Sequence, residues 1–485
     1  MPLLPLVVLI GACLRGFLYA IPSIPAALSS RPELVTPISS FYRLREGVFL
    51  YDSTGSPYSG DVYHQPPLLF AFLYPVFQVV PVSLQYLVIC GIFISIDLLL
   101  GMGFARLCAK TLKLEEGRKF MIQGHETWLS QIPVSPLFTP ENLPTTVAFI
   151  YLMNPYSLAS SLAMSTVSLT HLAILYSLLF ASEGALVASM MCVAMGTYLS
   201  VYPIFLMLPI LLLLRSIETD KTVSSQTRGV GAKLAAKGLM IFTIWMSVLL
   251  YLSWSLNGGW GFLTETYVWV ARYSDLTPNI GIFWYFFMEV FDRFIPYFLL
   301  VMHLHPVIYV VPIYLRLAYV STKSTCHRTT LIHTFAFRHR PQAYACALIG
   351  LFSLFQAYPC FGDFGFFLSM MALHPKTIMS KCFNLCFDMT HDLVLTSTPC
   401  LIRLTLRSNR KSIRVRDWFG SRNVHAASSG NANFFYNQTL VYQIFHSQLI
   451  TAFIGATMKR DKDVEKYRTR YLKELEKAKA SEKNE

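Results

Sequence analysis

Apolar residues run through this chain in stretches too long for a soluble core, separated by polar loops at irregular intervals. Leu3 to Leu28 carries one charge, Arg15, and about 20 apolar residues in a helix suffice to cross a bilayer. It is read as a retained first span, with a cleaved signal peptide as the alternative because small residues close it. A polar segment, Ser29 to Pro66, precedes the apolar run Pro67 to Val80. That run is short of a span, so it is expected to lie along the membrane interface and stop at Pro81. Leu84 to Cys108, carrying Asp97, is the second span.

From Thr146 to Leu214 the chain is almost continuously apolar, interrupted at Asn154-Pro155-Tyr156, His171, Glu183-Gly184 and Tyr202-Pro203. Three or four helices fit there. Gly238 to Leu256 reads as a span and Ile282 to Val320 as one long helix or two short ones. Ala343 to Ala372 is broken at Tyr358-Pro359, and Phe434 to Met458 closes the membrane part. The count comes to roughly ten to twelve spans. The expectation is an all-α polytopic membrane protein: one membrane domain, 1–458, followed by a charged cytosolic tail, 459–485, with a Lys/Glu pattern suited to a solvated helix.

Charge fixes an orientation. Basic residues cluster at Lys110–Lys119, Arg215–Lys237 and after Lys459, and basic loops stay cytosolic. That places the loop 29–66 in the lumen, provided that Pro67–Val80 does not span. Segment 375–427 breaks the pattern: it is only intermittently apolar and rich in Arg. It is either a divergent loop or a mis-translated stretch of the gene.

Composition agrees with the pattern. Of 485 residues, 54% are hydrophobic and 14% charged, against roughly 25% charged in soluble domains. A soluble enzyme, a disordered scaffold and a disulfide-stapled module are excluded. The net charge of +13 belongs to loops beside anionic lipid rather than to a nucleic-acid surface, since no basic run is interleaved with aromatics. Ten Cys without a CxxC pair indicate no metal site and no disulfide framework. No cofactor is expected.

The first polar loop holds Pro37-Ile-Ser-Ser40, Glu46-Gly47, Ser56-Pro-Tyr-Ser-Gly60 and His64. A span, a polar loop and an interfacial helix in this order resemble the GT-C membrane fold, that of the endoplasmic-reticulum glycosyltransferases using dolichol-linked sugars. Such enzymes carry an Asp here to deprotonate an acceptor hydroxyl. Val35-Thr-Pro-Ile-Ser-Ser40 has none, leaving only Glu33 and Glu46 as nearby acids.

A more specific resemblance runs from Ser274-Asp-Leu-Thr-Pro-Asn-Ile-Gly-Ile-Phe-Trp284 through Glu289-Val-Phe-Asp-Arg293. With Leu152-Met-Asn-Pro-Tyr156, Tyr358-Pro359, Gly362-Asp363 and Asn431-Ala-Asn-Phe-Phe-Tyr436 in the same order, the chain resembles the PIG-U family. The resemblance implies a non-catalytic subunit of the glycosylphosphatidylinositol (GPI) transamidase in the endoplasmic-reticulum membrane. Its partners would be the other subunits, including a cysteine-protease-like catalytic one, and the GPI lipid. The alternative is a mannosyltransferase of GPI biosynthesis using dolichol-phosphate mannose, with Glu33 or Glu46 as base.

Candidate lipid-binding residues follow. Asn431 and Asn433, at the mouth of the last span, offer amides that donate and accept at once, or else cap the helix. Asp275, Thr277 and Asn279 form a polar loop before an aromatic stretch. Phe283 and Trp284 in that stretch line an acyl-chain groove or anchor the interface. Glu289, Asp292 and Arg293, at i, i+3 and i+4 of a helix, read as an internal ion pair. Asp97 and Arg15 read as a second pair between the first two spans, because ionisable groups at membrane depth need partners.

Overall fold

The computed structural model describes residues 3–120, 136–221, 230–317, 340–377 and 433–482. Among these the fold is all-α; the one extended pairing is an isolated antiparallel bridge, Ser40 to Ser165.

Sixteen principal helices follow the apolar runs. The first group is α1 (Leu4–Tyr19), α2 (Ser23–Ser29), α3 (Phe41–Thr54), α4 (Pro67–Val79) and α5 (Val82–Phe120). The central run gives α6 (Leu143–Met153), α7 (Pro155–Leu162), α8 (Val167–Glu183), α9 (Leu186–Leu199) and α10 (Met207–Lys221). Then come α11 (Val230–Asn257), α12 (Phe283–Glu289), α13 (Ile295–Leu317), α14 (Pro341–Phe355), α15 (Phe361–Ala372) and α16 (Asn433–Glu482).

Among the described residues, three stretches are long and apolar enough to cross a membrane: Val82–Leu114, Gly231–Asn257 and Asp292–Leu317. Leu4–Tyr19 and Ser23–Ser29 would make a fourth, but they are bent by 90°. The first apolar stretch is therefore a broken span or a re-entrant hairpin rather than one straight helix. Other apolar sequence among the described residues forms helices of 10–17 residues.

The breaks have local causes. Between α6 and α7, Asn154 is extended (ψ 121) and its side chain accepts from the Tyr156 N–H. Proline disfavours the helical region for the residue before it. At the end of α8, Gly184 takes φ 80, the left-handed cap that glycine adopts without a Cβ penalty. The expected three or four helices over 146–214 accordingly become five.

α5 packs against α1, α6 and α8, while α14 is enclosed by α10, α13, α15 and α16. Every residue of α14 from Pro341 to Leu354 is buried, as fits a helix apolar all round. α15 lies against it so closely that a Cβ on Gly350 would sit 2.6 Å from the Phe367 ring. The last helix carries Gln443 and His446 into the bundle, Gln443 donating to the Ile280 carbonyl at 2.9 Å. Such polar positions explain why α16 falls outside the apolar spans. It runs unbroken into the charged tail.

Candidate functional site

The polar loop between α2 and α3 is strapped to the bundle by backbone bonds. The Thr166 N–H donates to the Ser39 carbonyl at 2.9 Å and the Phe361 N–H to the Glu33 carbonyl at 2.8 Å. Gln65 Nε2 donates to the Ser40 carbonyl at 2.9 Å, and Ser40 Oγ caps α3 through the Arg43 N–H. Glu33 is buried, and its Oε1 has no hydrogen-bond partner among the described residues. Burial pushes its carboxyl up to about 7, only partly offset by its own backbone and Arg31.

A second loop, between α11 and α12, meets the first on the same face. Arg43 Nη2 donates to Asp275 Oδ2 at 2.8 Å. Asp275 also accepts from the N–H and hydroxyl of Thr277, and its own N–H donates to the Tyr358 hydroxyl at 3.1 Å. Partial burial raises the Asp275 carboxyl, but the Thr277 bonds and the Arg43 charge outweigh it, so the group is held below its ordinary value.

Tyr273 anchors this loop in an unusual conformation. Its φ is 52, a left-handed value that a bulky residue rarely adopts and that costs about 1–3 kcal/mol. Its ring stacks on Tyr358 with centroids 4.8 Å apart and an interplanar angle of 4°. Its hydroxyl accepts from Asn279 Nδ2 at 3.0 Å, while Asn279 Oδ1 accepts from the Gly281 N–H at 2.8 Å. Trp269 joins the stack between Tyr358 and His64, lying 3.8 Å from the imidazole. Asp275, Thr277 and Asn279 thus form one pre-shaped loop, in which Asn279 is already committed to internal bonds.

The remaining expectations divide. Trp284 is fully buried against Phe435 and Tyr436, and Phe287 is buried too, while Phe283 is half-buried. The Trp284 indole N–H has no acceptor among the described residues. This aromatic stretch therefore ties α12 to the start of α16 as much as it faces outward. Asn433 is the first residue of α16; Asn431 lies outside the described residues, as does nearly all of 375–427.

The ion pair expected among Glu289, Asp292 and Arg293 does not form. α12 ends at Glu289 and Val290 turns extended (ψ 138), so the three residues share no helical face, and all are exposed. Arg15 and Asp97 do meet, Nε to Oδ2 at 2.7 Å. No group of His, Cys, Asp and Glu that could hold a metal occurs among the described residues.

Sequence reasoning missed a buried pair. His171 Nε2 donates to Asp363 Oδ1 at 2.9 Å. Asp363 Oδ2 accepts from Gln356 Nε2 and the Cys360 N–H. The His171 ring stacks on Phe366 at 4.5 Å. A polar residue in an apolar run was the only available signal, because 192 positions separate the partners.

Fold and site together define a polytopic helical membrane protein with a polar cap on one face. The sequence profile described as GPI transamidase subunit PIG-U matches residues 9–409. The chain belongs to that family. It is 27% identical over 473 residues to the "GPI-anchor transamidase component PIGU" of Homo sapiens, covering 94% of each chain. The protein of that name in Cricetulus griseus matches at the same identity and coverage. The "GPI transamidase component GAB1" of Saccharomyces cerevisiae is 28% identical over 448 residues, 91% of each chain. These names do not favour the mannosyltransferase alternative.

Proposed function

We propose that the protein is a non-catalytic, multi-pass subunit of the GPI transamidase in the endoplasmic-reticulum membrane, and that its polar face recognises the GPI lipid. The observation that carries the subunit role is the family match over residues 9–409. In this reading the thiol that cleaves the precursor belongs to a separate cysteine-protease-like subunit. The cap formed by α3, the Asp275–Asn279 loop and the start of α16 faces the lumen, where the transfer takes place. Lipid recognition is supported by that loop's pre-formed shape and by the family-like sequence Asn431-Ala-Asn433, whose amides can donate and accept at once.

Loss of the protein should leave complete GPI lipid accumulating while precursor proteins keep their C-terminal signals. Accumulation of a mannose-deficient GPI intermediate would refute the reading. Rescue with the Asn431→Ala/Asn433→Ala double variant separates recognition from assembly. Attachment should fall while co-purification with the other subunits persists, since two lost hydrogen bonds cost about 0.5–1.5 kcal/mol each. Normal attachment would leave both residues as helix caps.

A further inference from the structure

Segment 31–40 crosses the bundle as two turns, each closed by its own bonds. The Arg31 carbonyl accepts from the Leu34 and Val35 N–H groups at 3.1 and 3.0 Å. The Thr36 carbonyl accepts from the Ser39 N–H at 3.0 Å, and Ser39 Oγ accepts from the Thr36 N–H at 3.0 Å. Attachment to the bundle is sparser. The Glu33 carbonyl takes the Phe361 N–H, one of the donors that the first turn of α15 leaves without a helical partner. The Ser39 carbonyl takes the Thr166 N–H, beside the bridge from Ser40 to Ser165. Thr36, Ile38 and Ser39 line a chamber of about 80 Å³.

Loops ordinarily run over the surface, yet positions 32–37 are all buried. Glu33 among them is 5% exposed, and its Oε1 has no hydrogen-bond partner among the described residues. The residues after it, Leu34 and Val35, pack with Ala159 and Ala163 of α7, against Leu28 and Phe361. A lone carboxylate in such a place is costly, so the group either keeps a proton or moves to water. Burial accordingly pushes its carboxyl up to about 7.

The elements packed around this segment do little to hold a charge there. α2 has no charged residue, and α7 offers the Tyr156 phenol and no charge. α15 brings Asp363, whose oxygens are engaged by His171 of α8, by Gln356 and by the N–H and thiol of Cys360. Arg31, on the same turn as Glu33, is the cation that acts on it, and it only partly offsets burial.

We propose that segment 31–40 is a proton-controlled strap, closed over the chamber while Glu33 holds its proton and lifted from α7 and α15 when Glu33 ionises. Glu33 is both the titrating group and a clamp, because its own carbonyl holds the Phe361 N–H. A carboxylate that moves to water takes this bond with it. Between 4.5 and about 7 the closed form binds more protons than the lifted one. Lifting therefore grows as pH rises through that window and levels off above it. The strap works in this way whether or not the Asp275–Asn279 loop binds GPI.

The test is hydrogen exchange on the full chain in phosphatidylcholine nanodiscs at pH 5.5 and 7.5, resolved to single amides and expressed as protection factors. Protection of the Thr166 and Phe361 amides should fall about twentyfold between the two pH values. Amides of the enclosed helix α14 should keep their protection, which separates local lifting from loosening of the whole fold. Glu33→Gln, which keeps the shape and removes the titration, should hold both strap amides at their pH 5.5 protection throughout. Equal protection of the strap amides at the two pH values would overturn the proposal. So would a parallel fall in α14, or a pH dependence that survives in Glu33→Gln, which would assign it to another group such as His171. The contrast between strap and α14 in the unmodified protein decides the matter even if the variant fails to fold.

Discussion

Arg15 on α1 and Asp97 on α5 are joined by a 2.7 Å bond, with side chains 0% and 2% exposed. Around them Arg15 Nη1 donates to the Leu152 carbonyl at 3.0 Å and the Tyr151 hydroxyl donates to Asp97 Oδ1 at 3.0 Å. The pair thus fastens α1, α5 and α6 at one point. Asp97→Ala would strand a buried guanidinium and should destabilise the protein by about 3–5 kcal/mol, whereas Arg15→Leu with Asp97→Leu should recover much of that loss. Thermal unfolding in detergent checks this; a mild effect of Asp97→Ala alone would show that the pair does not hold the helices together.

The contact between α14 and α15 is steric. Gly350 is buried, and a Cβ there would lie 2.6–2.9 Å from three atoms of the Phe367 ring. That ring is itself fully buried and has little room to move. Gly350→Ala should cost about 1–3 kcal/mol through overpacking. Gly16→Ala, where nothing lies within 4 Å of the added carbon, is the control and should leave the unfolding midpoint nearly unchanged.

The helical character and most helix boundaries were legible because apolar runs and punctuating Pro and Gly act locally. Asn154-Pro155 and Gly184 stop helices for reasons contained within two residues. The Arg15–Asp97 pair was legible from cost alone: two charges in neighbouring apolar runs need each other. The pair His171–Asp363 was not, since its partners come from elements far apart in sequence. Glu289–Arg293 failed in the opposite way. The spacing suited a helix, but extended Val290 and Phe291 divide α12 from the turn Asp292–Phe294. Periodicity carries no warning of such a break. Hydropathy gave apolar length, whereas the breaks set helix length, so several apolar runs appear as helices of 10–17 residues among the described residues.

Glu33 gives a pH signature. Its carboxyl moves from 4.5 to about 7 on folding, so between those values the folded chain binds more protons than the unfolded one. Stability therefore falls as pH rises through this window. The magnitude is roughly 3 kcal/mol by the linkage relation. Glu33→Gln should remove this slope and raise the unfolding midpoint near pH 8, with little effect near pH 4.5. Identical pH profiles for the two proteins would show that Glu33 remains ionised in the folded state.

Arg43 and Asp275 offer a test of the cap. Their side chains are 28% and 15% exposed, so solvent screens the pair and its coupling should be only about 0.2–1 kcal/mol in a double-mutant cycle. Because the folded carboxyl of Asp275 lies below its ordinary 3.8, its stabilisation is complete above that value and is lost as pH falls through the folded one. No change from this pair is expected between pH 5 and 8. Under the proposed lipid-binding reading, the consequence for function exceeds that for stability, because the bond joins the Asp275–Asn279 loop to α3. Arg43→Asp should leave protein level and subunit assembly close to normal while lowering GPI attachment in rescued knockout cells. The reciprocal Arg43→Asp/Asp275→Arg variant should restore part of that attachment. If attachment in the single variant tracks the amount of protein, or the double variant restores nothing, the ion pair does not position the loop.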